Sequence, residues 1–323
     1  MFWLIAFVPL NYRRFEMSLN IYCCGGTGVN IGKRINDLDF SVYFIDSSRS
    51  NLKDLNSDYV FLVEDMDGAG KNRKITYEKF KEFAETILIK FKPSKALNIV
   101  ISSLSGGTGS VISPLITKKL IENGHSTIVI GIDSTNSAIE IENSVKTLKS
   151  YKSISNATGK PIALYYVENN VREEADKEVL DFINVIGNIL LNTQITEEFD
   201  LTDLHNFINY DNVTENDPDV GILTVSPNVE YVGEKNTHVV SSIFITNNPN
   251  SKISNPKPDY LATCIVTDPD YSEADIRIDN TIGKLPIIIE HLEKELEVLK
   301  ENRKTIKVKS LEVNSNTEDG LVL

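Results

Sequence analysis

Five short apolar runs, LNIYCC, FSVYFID, ALNIVISS, STIVIGID and PIALYYVEN, follow one another along the first half of the chain, each separated from the next by a stretch with helical character. A strand that is apolar without alternation is buried on both faces, so helices must cover it on both sides. Strands and helices in strict alternation make a parallel sheet of the α/β class. Ligands of such sheets sit at the carboxyl ends of the strands. Two runs of small residues lie at those ends: Gly25 to Asn30 after the first strand, and SSLSGGTGS, Ser102 to Ser110, after the third. A glycine turn that opens a helix exposes backbone N–H groups, which is the making of an anion site.

The second half reads differently. From Glu173 to Asn192 the pattern is one long helix, apolar at Ala175, Val179, Ile183, Ile186 and Leu190, and it is placed to act as a spine. VGILTVS, HVVSSIFIT, YLATCIVTD and DIRID then cluster or alternate as strands do. The last helix carries Ile288, Leu292, Leu296 and Leu299 on one stripe, and a polar acidic end, NSNTEDGLVL, follows it. The expected organisation is an N-terminal extension over 1–17, a parallel-sheet nucleotide-binding domain over 18–172, and a core helix and loop over 173–218. A smaller α+β domain over 219–285 and a C-terminal helix and tail over 286–323 complete it.

Composition bounds the partners. A chain of 323 residues with 33 basic and 46 acidic side chains carries a net charge of −13, which opposes sequence-independent binding to nucleic acid or to an anionic membrane. Cys23, Cys24 and Cys264 form neither a disulfide framework nor a metal knuckle, and a reducing cytoplasm is the simplest home. The apolar run Phe2 to Leu10 is too short to span a bilayer, and no cleavage site follows it. The first sixteen residues are expected to be a dispensable extension ahead of Met17, the alternative being a membrane or partner anchor.

The loops do not fit the commonest nucleotide patterns. Ile31 stands where a dinucleotide fingerprint read from Gly26 needs glycine, and no G-x-x-x-x-G-K-[ST] occurs. Two small-residue loops surrounding one polyphosphate fit better. Backbone N–H bonds to a charged acceptor contribute about 1.5–3 kcal/mol each.

At this point the residues resemble a known family. SGGTGS is similar to the signature of tubulin and FtsZ, with Val111 in place of a final glycine, and the other loops stand in family order: GGTGVN, FIDSS, DGAGKNR and SGGTGS. The resemblance implies a GTPase that binds GTP or GDP with Mg2+. It implies phosphate contacts from Gly25, Gly26, Thr27 and Gly28, from Gly68, Ala69, Gly70 and Lys71, and from Ser105, Gly106, Gly107, Thr108, Gly109 and Ser110. Asp46 is the implied Mg2+ ligand. IEIENSVK is similar to the ribose-contacting segment of FtsZ and implies Glu142 and Lys146 there, while Asn30, Asn169, Asn170 and Asp176 are implied around the ribose and base.

EEFDLTDL keeps the D-x-x-D spacing of the loop that FtsZ inserts into a neighbour's nucleotide site, with Glu198 in place of asparagine, so Asp200 and Asp203 are the implied catalytic pair. Within the family the compact body and short acidic end resemble the phage tubulins of the PhuZ type. That implies a self-assembling, cytomotive filament in the host bacterial cytoplasm that organises or positions phage DNA or a phage nucleus, with no direct nucleic-acid or membrane partner. Polymer contacts are implied at Glu318, Asp319, Leu321 and Leu323. The other readings are a non-hydrolysing nucleotide-binding module and a filament for plasmid segregation or cell division. Simpler roles stand beside the implied ones: Asp200 and Asp203 as helix caps, Lys71 and Arg73 as a solvated loop, Asn169 and Asn170 as a strand-ending turn, and the tail as a frayed end.

Overall fold

β1 (Leu19–Cys24), β2 (Phe40–Asp46), β3 (Val60–Leu62), β4 (Leu97–Ser103), β5 (Thr127–Asp133) and β6 (Ile162–Glu168) form parallel pairs in the order β3-β2-β1-β4-β5-β6. The structure, a computed structural model, describes residues 19–35, 40–64, 66, 68–192, 199–227, 238–253, 257–266, 273–279 and 284–308. Beyond β6 the sheet continues without a break. β7 (Val220–Pro227) pairs parallel to β6, β10 (Ala274–Asp279) lies antiparallel between β7 and β8 (Val239–Thr246), and β9 (Tyr260–Ile265) closes the edge parallel to β8. The strands expected to belong to a smaller second domain therefore extend the first sheet, because Ile162 to Tyr165 of β6 pair with Val220 to Leu223 of β7.

The helices are α1 (Gly25–Gly32), α2 (Arg49–Leu52), α3 (Arg73–Phe80), α4 (Phe83–Lys90), α5 (Gly109–Glu122), α6 (Ala138–Thr158), α7 (Arg172–Asn192), α8 (Leu201–Ile208) and α9 (Lys284–Val308). Successive strand residues point to opposite faces, and both faces are filled. Ile21, Cys23, Ile99 and Ile101 meet Val29 of α1, Phe182 and Ile186 of α7, and Leu204 and Phe207 of α8 in one core cluster. Tyr22, Cys24 and Val100 meet Phe80, Ile87 and Ile116 of α3, α4 and α5 in another. A third cluster places Leu148 and Tyr151 of α6 with Leu285, Leu292 and Leu296 of α9 over Val129, Leu164 and Ile222. The leucine stripe of the last helix is thus a packing stripe.

Two local readings differ from expectation. The stretch YEKFKEFAETILIKF is two helices, broken after Phe80, and Phe80, Ile87 and Phe91 are all buried, on the one side that their spacings of seven and four define. β3 is only three residues long and carries no periodic signal. The polar helix α6 runs on to Thr158 and ends at Gly159, whose φ of 61° is the left-handed C-terminal conformation that favours glycine. The three cysteines are free and buried. No helix among the described residues is long and apolar enough to cross a membrane.

Candidate nucleotide site and its distant acid pair

α1 begins at the residue after β1, and α5 begins six residues after β4 ends. β1 and β4 are neighbours, and the two helices cover opposite faces, so two helix N-termini converge on one point at the carboxyl edge of the sheet. The two turns touch there. A Cβ on Gly25 would lie 2.7 Å from the Gly109 nitrogen, and Gly25 has φ +72°, so both space and backbone require glycine. A Cβ on Gly107 would lie 2.5 Å from the Ala69 Cβ and 2.8 Å from the Lys71 nitrogen. Glycine at 107 is therefore demanded by the neighbouring loop DGAGKNR, which turns through left-handed Gly68, Gly70 and Lys71.

Side chains fasten these loops to one another. Asn143 of α6 donates to the carbonyls of Lys71 and Ser105, each at 3.1 Å, and the hydroxyls of Ser47 and Thr108 are 2.8 Å apart. The result is a cavity of about 150 Å³ lined by Gly25, Gly26, Thr27, Asp46, Ser48, Asn51, Gly68, Ala69, Gly70, Gly106, Gly107, Thr108 and Gly109. Seven of its lining residues are glycines, which leave the backbone open to an incoming group, a setting suited to phosphate oxygens. Asn51 escaped the sequence reading, although it lies three residues past the FIDSS loop, whose last residue is Ser48.

Gly28, Lys71, Ser105 and Ser110 do not line this cavity. Gly28 lets α1 press onto β4, since a Cβ there would be 2.6 Å from the Ile101 carbonyl oxygen. Ser110 donates back to the Gly106 carbonyl at 2.5 Å. Lys71 extends outward to Glu140 at 2.7 Å. Arg73 is half-buried and does not line this cavity: it donates to the Ser110 carbonyl at 2.6 Å and the Thr147 hydroxyl at 2.5 Å.

Asp46 is 2% exposed, and its oxygens accept from Asn51 Nδ2 and from the Ser47 nitrogen, both at 2.7 Å. Burial outweighs these bonds and raises its carboxyl above the usual range. Among the described residues no group of three or more His, Cys, Asp or Glu side chains is gathered to hold a metal. A lone carboxylate beside a phosphate cavity still suits Mg2+, which takes one or two carboxylates and completes its shell with phosphate oxygens and water.

The ribose and base residues are divided. Glu142 and Lys146 pair with each other at 2.5 Å on an outward face of α6, and that bond holds the Glu142 carboxyl below its usual range. The face toward the loops carries Glu140 and Asn143, because residues two apart on a helix point about 200° apart and residues three apart share a side. Asn169 and Asn170 line a separate crevice of about 510 Å³ against α9, with Tyr166, His291 and Leu292. Asp176 sits with α7 on the other face and pairs with Arg34 at 2.8 Å, just beyond the helix that holds Asn30.

Asp200 and Asp203 form a reciprocal capping box at the start of α8. Asp200 Oδ1 accepts from the nitrogens of Thr202 and Asp203 at 2.6 and 3.1 Å, and Asp203 Oδ2 accepts from the Asp200 nitrogen at 3.1 Å. His205 of the same helix bonds the Ala96 carbonyl at 2.9 Å, and Asn209 donates to the Ser126 hydroxyl at 3.0 Å. Ala96 and Ser126 immediately precede β4 and β5, so the acid pair lies at the amino edge of the sheet. The phosphate cavity lies at the carboxyl edge, and β4 alone, with seven residues, spans about 23 Å. One chain cannot bring the two together. Glu198, Glu318, Asp319, Leu321 and Leu323 lie outside the described residues.

No family model matches the chain. It is 32% identical over 199 residues to a phage tubulin-like protein of Pseudomonas phage PhiPA3, a match covering 60% of this chain and 62% of that one. It is 26% identical over 312 residues to a phage tubulin-like protein of Pseudomonas phage 201phi2-1, covering 93% and 97%. Among solved structures, a protofilament of TubZ from bacteriophage PhiKZ superposes with a TM-score of 0.80 at 24% identity, over 94% of this chain and 99% of that one. The phage tubulin PhuZ with GDP gives a TM-score of 0.80 at 22% identity, over 95% and 99%. The chain is thus similar to phage tubulin-like proteins of Pseudomonas phages, and its fold is that of the phage tubulins TubZ and PhuZ.

Proposed function

We propose that the chain binds GTP in the glycine-lined cavity and hydrolyses it only when a second copy docks head to tail, so that hydrolysis and polymerisation are one process. The observation that carries this is the separation of the cavity and the Asp200–Asp203 pair to opposite edges of one sheet. A subunit that offers its amino edge to the next subunit's carboxyl edge completes a site and leaves a free edge at each end, which is how a heterologous contact makes a filament. The GDP of the PhuZ structure supports a guanine nucleotide, and the PhiKZ protofilament supports self-association.

In this reading the backbone N–H groups of the Gly25 and Gly107 loops hold the phosphates, Asn143 ties the Gly107 loop to the Lys71 loop, and Asp46 holds Mg2+. The cation offsets phosphate charge that repels an approaching carboxylate. Asp200 and Asp203 of the neighbour orient the attacking water. Glu140 and Asp176 face the ribose and base. The tail contact fits a groove of about 740 Å³ between α3, α5 and α6, where Lys74, Lys118, Lys146 and Lys149 rim Val111, Pro114 and Leu115. Such a groove accepts acidic and apolar residues together. In an infected bacterium the filament would move or position phage DNA or the compartment that holds it.

The capping box favours a second reading, in which Asp200 and Asp203 only start α8 and the nucleotide is structural. Phosphate release from GTP, measured against protein concentration, decides. The composite site predicts a threshold at the critical concentration, with release proportional to polymer above it. Release rising linearly from the lowest concentrations rejects a composite site, and binding without release at any concentration selects the structural role.

A further inference from the structure

Asp203 has one bond more than a cap requires. The capping box engages its Oδ2, while its Oδ1 accepts from the Tyr260 hydroxyl at 2.9 Å. Tyr260 opens β9, the edge strand, 57 residues further along the chain, and its ring packs on the core cluster that holds Leu204 and Phe207 of α8. The neighbouring strand holds the same helix from behind: Ser241 of β8 donates to the Phe207 carbonyl at 2.7 Å. Two bonds from the C-terminal strands thus reach α8, and one of them ends on a carboxylate that faces the amino edge.

We propose that Tyr260 is a positioning residue for hydrolysis, fixing the plane of the Asp203 carboxylate so that it meets the neighbour's nucleotide in one orientation. The proposal rests on the reading that Asp203 acts on that nucleotide. A carboxylate held by its cap alone keeps one oxygen free to turn about the Cβ–Cγ bond. Held at both oxygens it cannot turn, yet each oxygen keeps a lone pair for an incoming water. Tyr260 remains a donor throughout the neutral range, since burial, reinforced by Asp203, pushes its hydroxyl up to about 12. The N-cap needs no such donor, because Asp203 Oδ2 already serves it. Misplacement of a reacting group by about 1 Å costs about a hundredfold in rate, which is the scale on which a lost positioning bond is felt.

Tyr260→Phe keeps the ring and removes the hydroxyl. GTP affinity and critical concentration should stay at wild-type values, while phosphate release per polymerised subunit falls by about tenfold to a hundredfold. In an Asp203→Asn background the same change should cost nothing further, because the hydroxyl then has no carboxylate to orient. Wild-type release from Tyr260→Phe filaments, with Asp203→Asn slow, overturns the proposal. Equal fractional losses in both backgrounds overturn it as well, since they mark a bond that only staples α8 to β9. Wild-type release from Asp203→Asn removes Asp203 itself from the chemistry, and that outcome is visible before Tyr260 is changed.

Discussion

Asp46 and its neighbours show how much a single buried carboxylate can weigh beside the glycine-lined cavity. Its raised carboxyl pKa comes first from burial, against the opposing bonds from Asn51, Ser47 and Ser48. A group whose folded pKa is raised binds more protons folded than unfolded. Its contribution to stability is therefore greatest in acid and is lost as pH rises through the folded pKa. Asp46→Asn removes that penalty while keeping an acceptor for the backbone nitrogens. Without nucleotide the variant should melt higher than the wild type at neutral pH, and the difference should shrink in mild acid. Its GTP hydrolysis should fall by more than about tenfold if, as proposed, Asp46 holds Mg2+. Thermal melts across pH and a phosphate assay check the two halves, and a variant that melts lower at neutral pH would contradict the assignment of cost. Other residues were less legible. Glu140 and Glu142 are indistinguishable in IEIENSVK, and only the rotational phase of α6 turns Glu140 toward Lys71.

Elements are held around the site by side chains that never touch the cavity. Arg73, the first residue of α3, joins that helix to the start of α5 through the Ser110 carbonyl, and to α6 through Thr147 and, at 3.4 Å, Ser150. Burial lowers its pKa to about 10, so it stays charged at neutral pH. Arg73→Met should cost about 1–3 kcal/mol in urea unfolding, because the carbonyl and hydroxyls it serves lose a charged donor. GTP affinity should weaken as well, since Ser110 closes the GGTG turn. Arg73→Lys should restore neither, as one ammonium lacks the planar fork that reaches two helices at once. Recovery of both by lysine would show that only the charge matters. The pattern-based reading placed Arg73 among phosphate contacts or solvated loop residues because a basic residue after a glycine turn looks the same in all three roles.

At the scale of the whole molecule, the proposed filament joins acidic chains of net charge −13, and charge alone opposes that. Exposed ion pairs contribute about 0–1 kcal/mol each, whereas each fully buried apolar anchor contributes about 1.5–3 kcal/mol. Deleting residues 316–323 removes Glu318 and Asp319 together with the apolar residues Leu321, Val322 and Leu323. The shortened chain should bind GTP normally. Its critical concentration should rise by more than about tenfold, the equivalent of about 1.4 kcal/mol, and its GTPase should be low at concentrations where the full chain is assembled. Added salt should weaken assembly of the full chain only modestly. Sedimentation giving equal critical concentrations for both chains would leave the tail without a role in the polymer.

The sequence by itself determined the parallel sheet, the long α7 helix and the two glycine turns that make the cavity. These rest on local chemistry: unbroken apolar runs must be buried, 3.6-residue stripes must face a core, and turns that bring backbones together must lack side chains. Only the tertiary structure decided what faces what. It joined β7 to β6 and so extended one sheet through both halves, placed Asn169 and Asn170 against α9, and left Asp176 with Arg34 on the opposite face. It also gave Asp200 and Asp203 their cap, their bond to Tyr260 and their position a full strand length from the glycine-lined cavity. A sequence pattern records spacing along one chain, whereas the rotational phase of a helix and the meeting of distant backbones are set by everything packed around them.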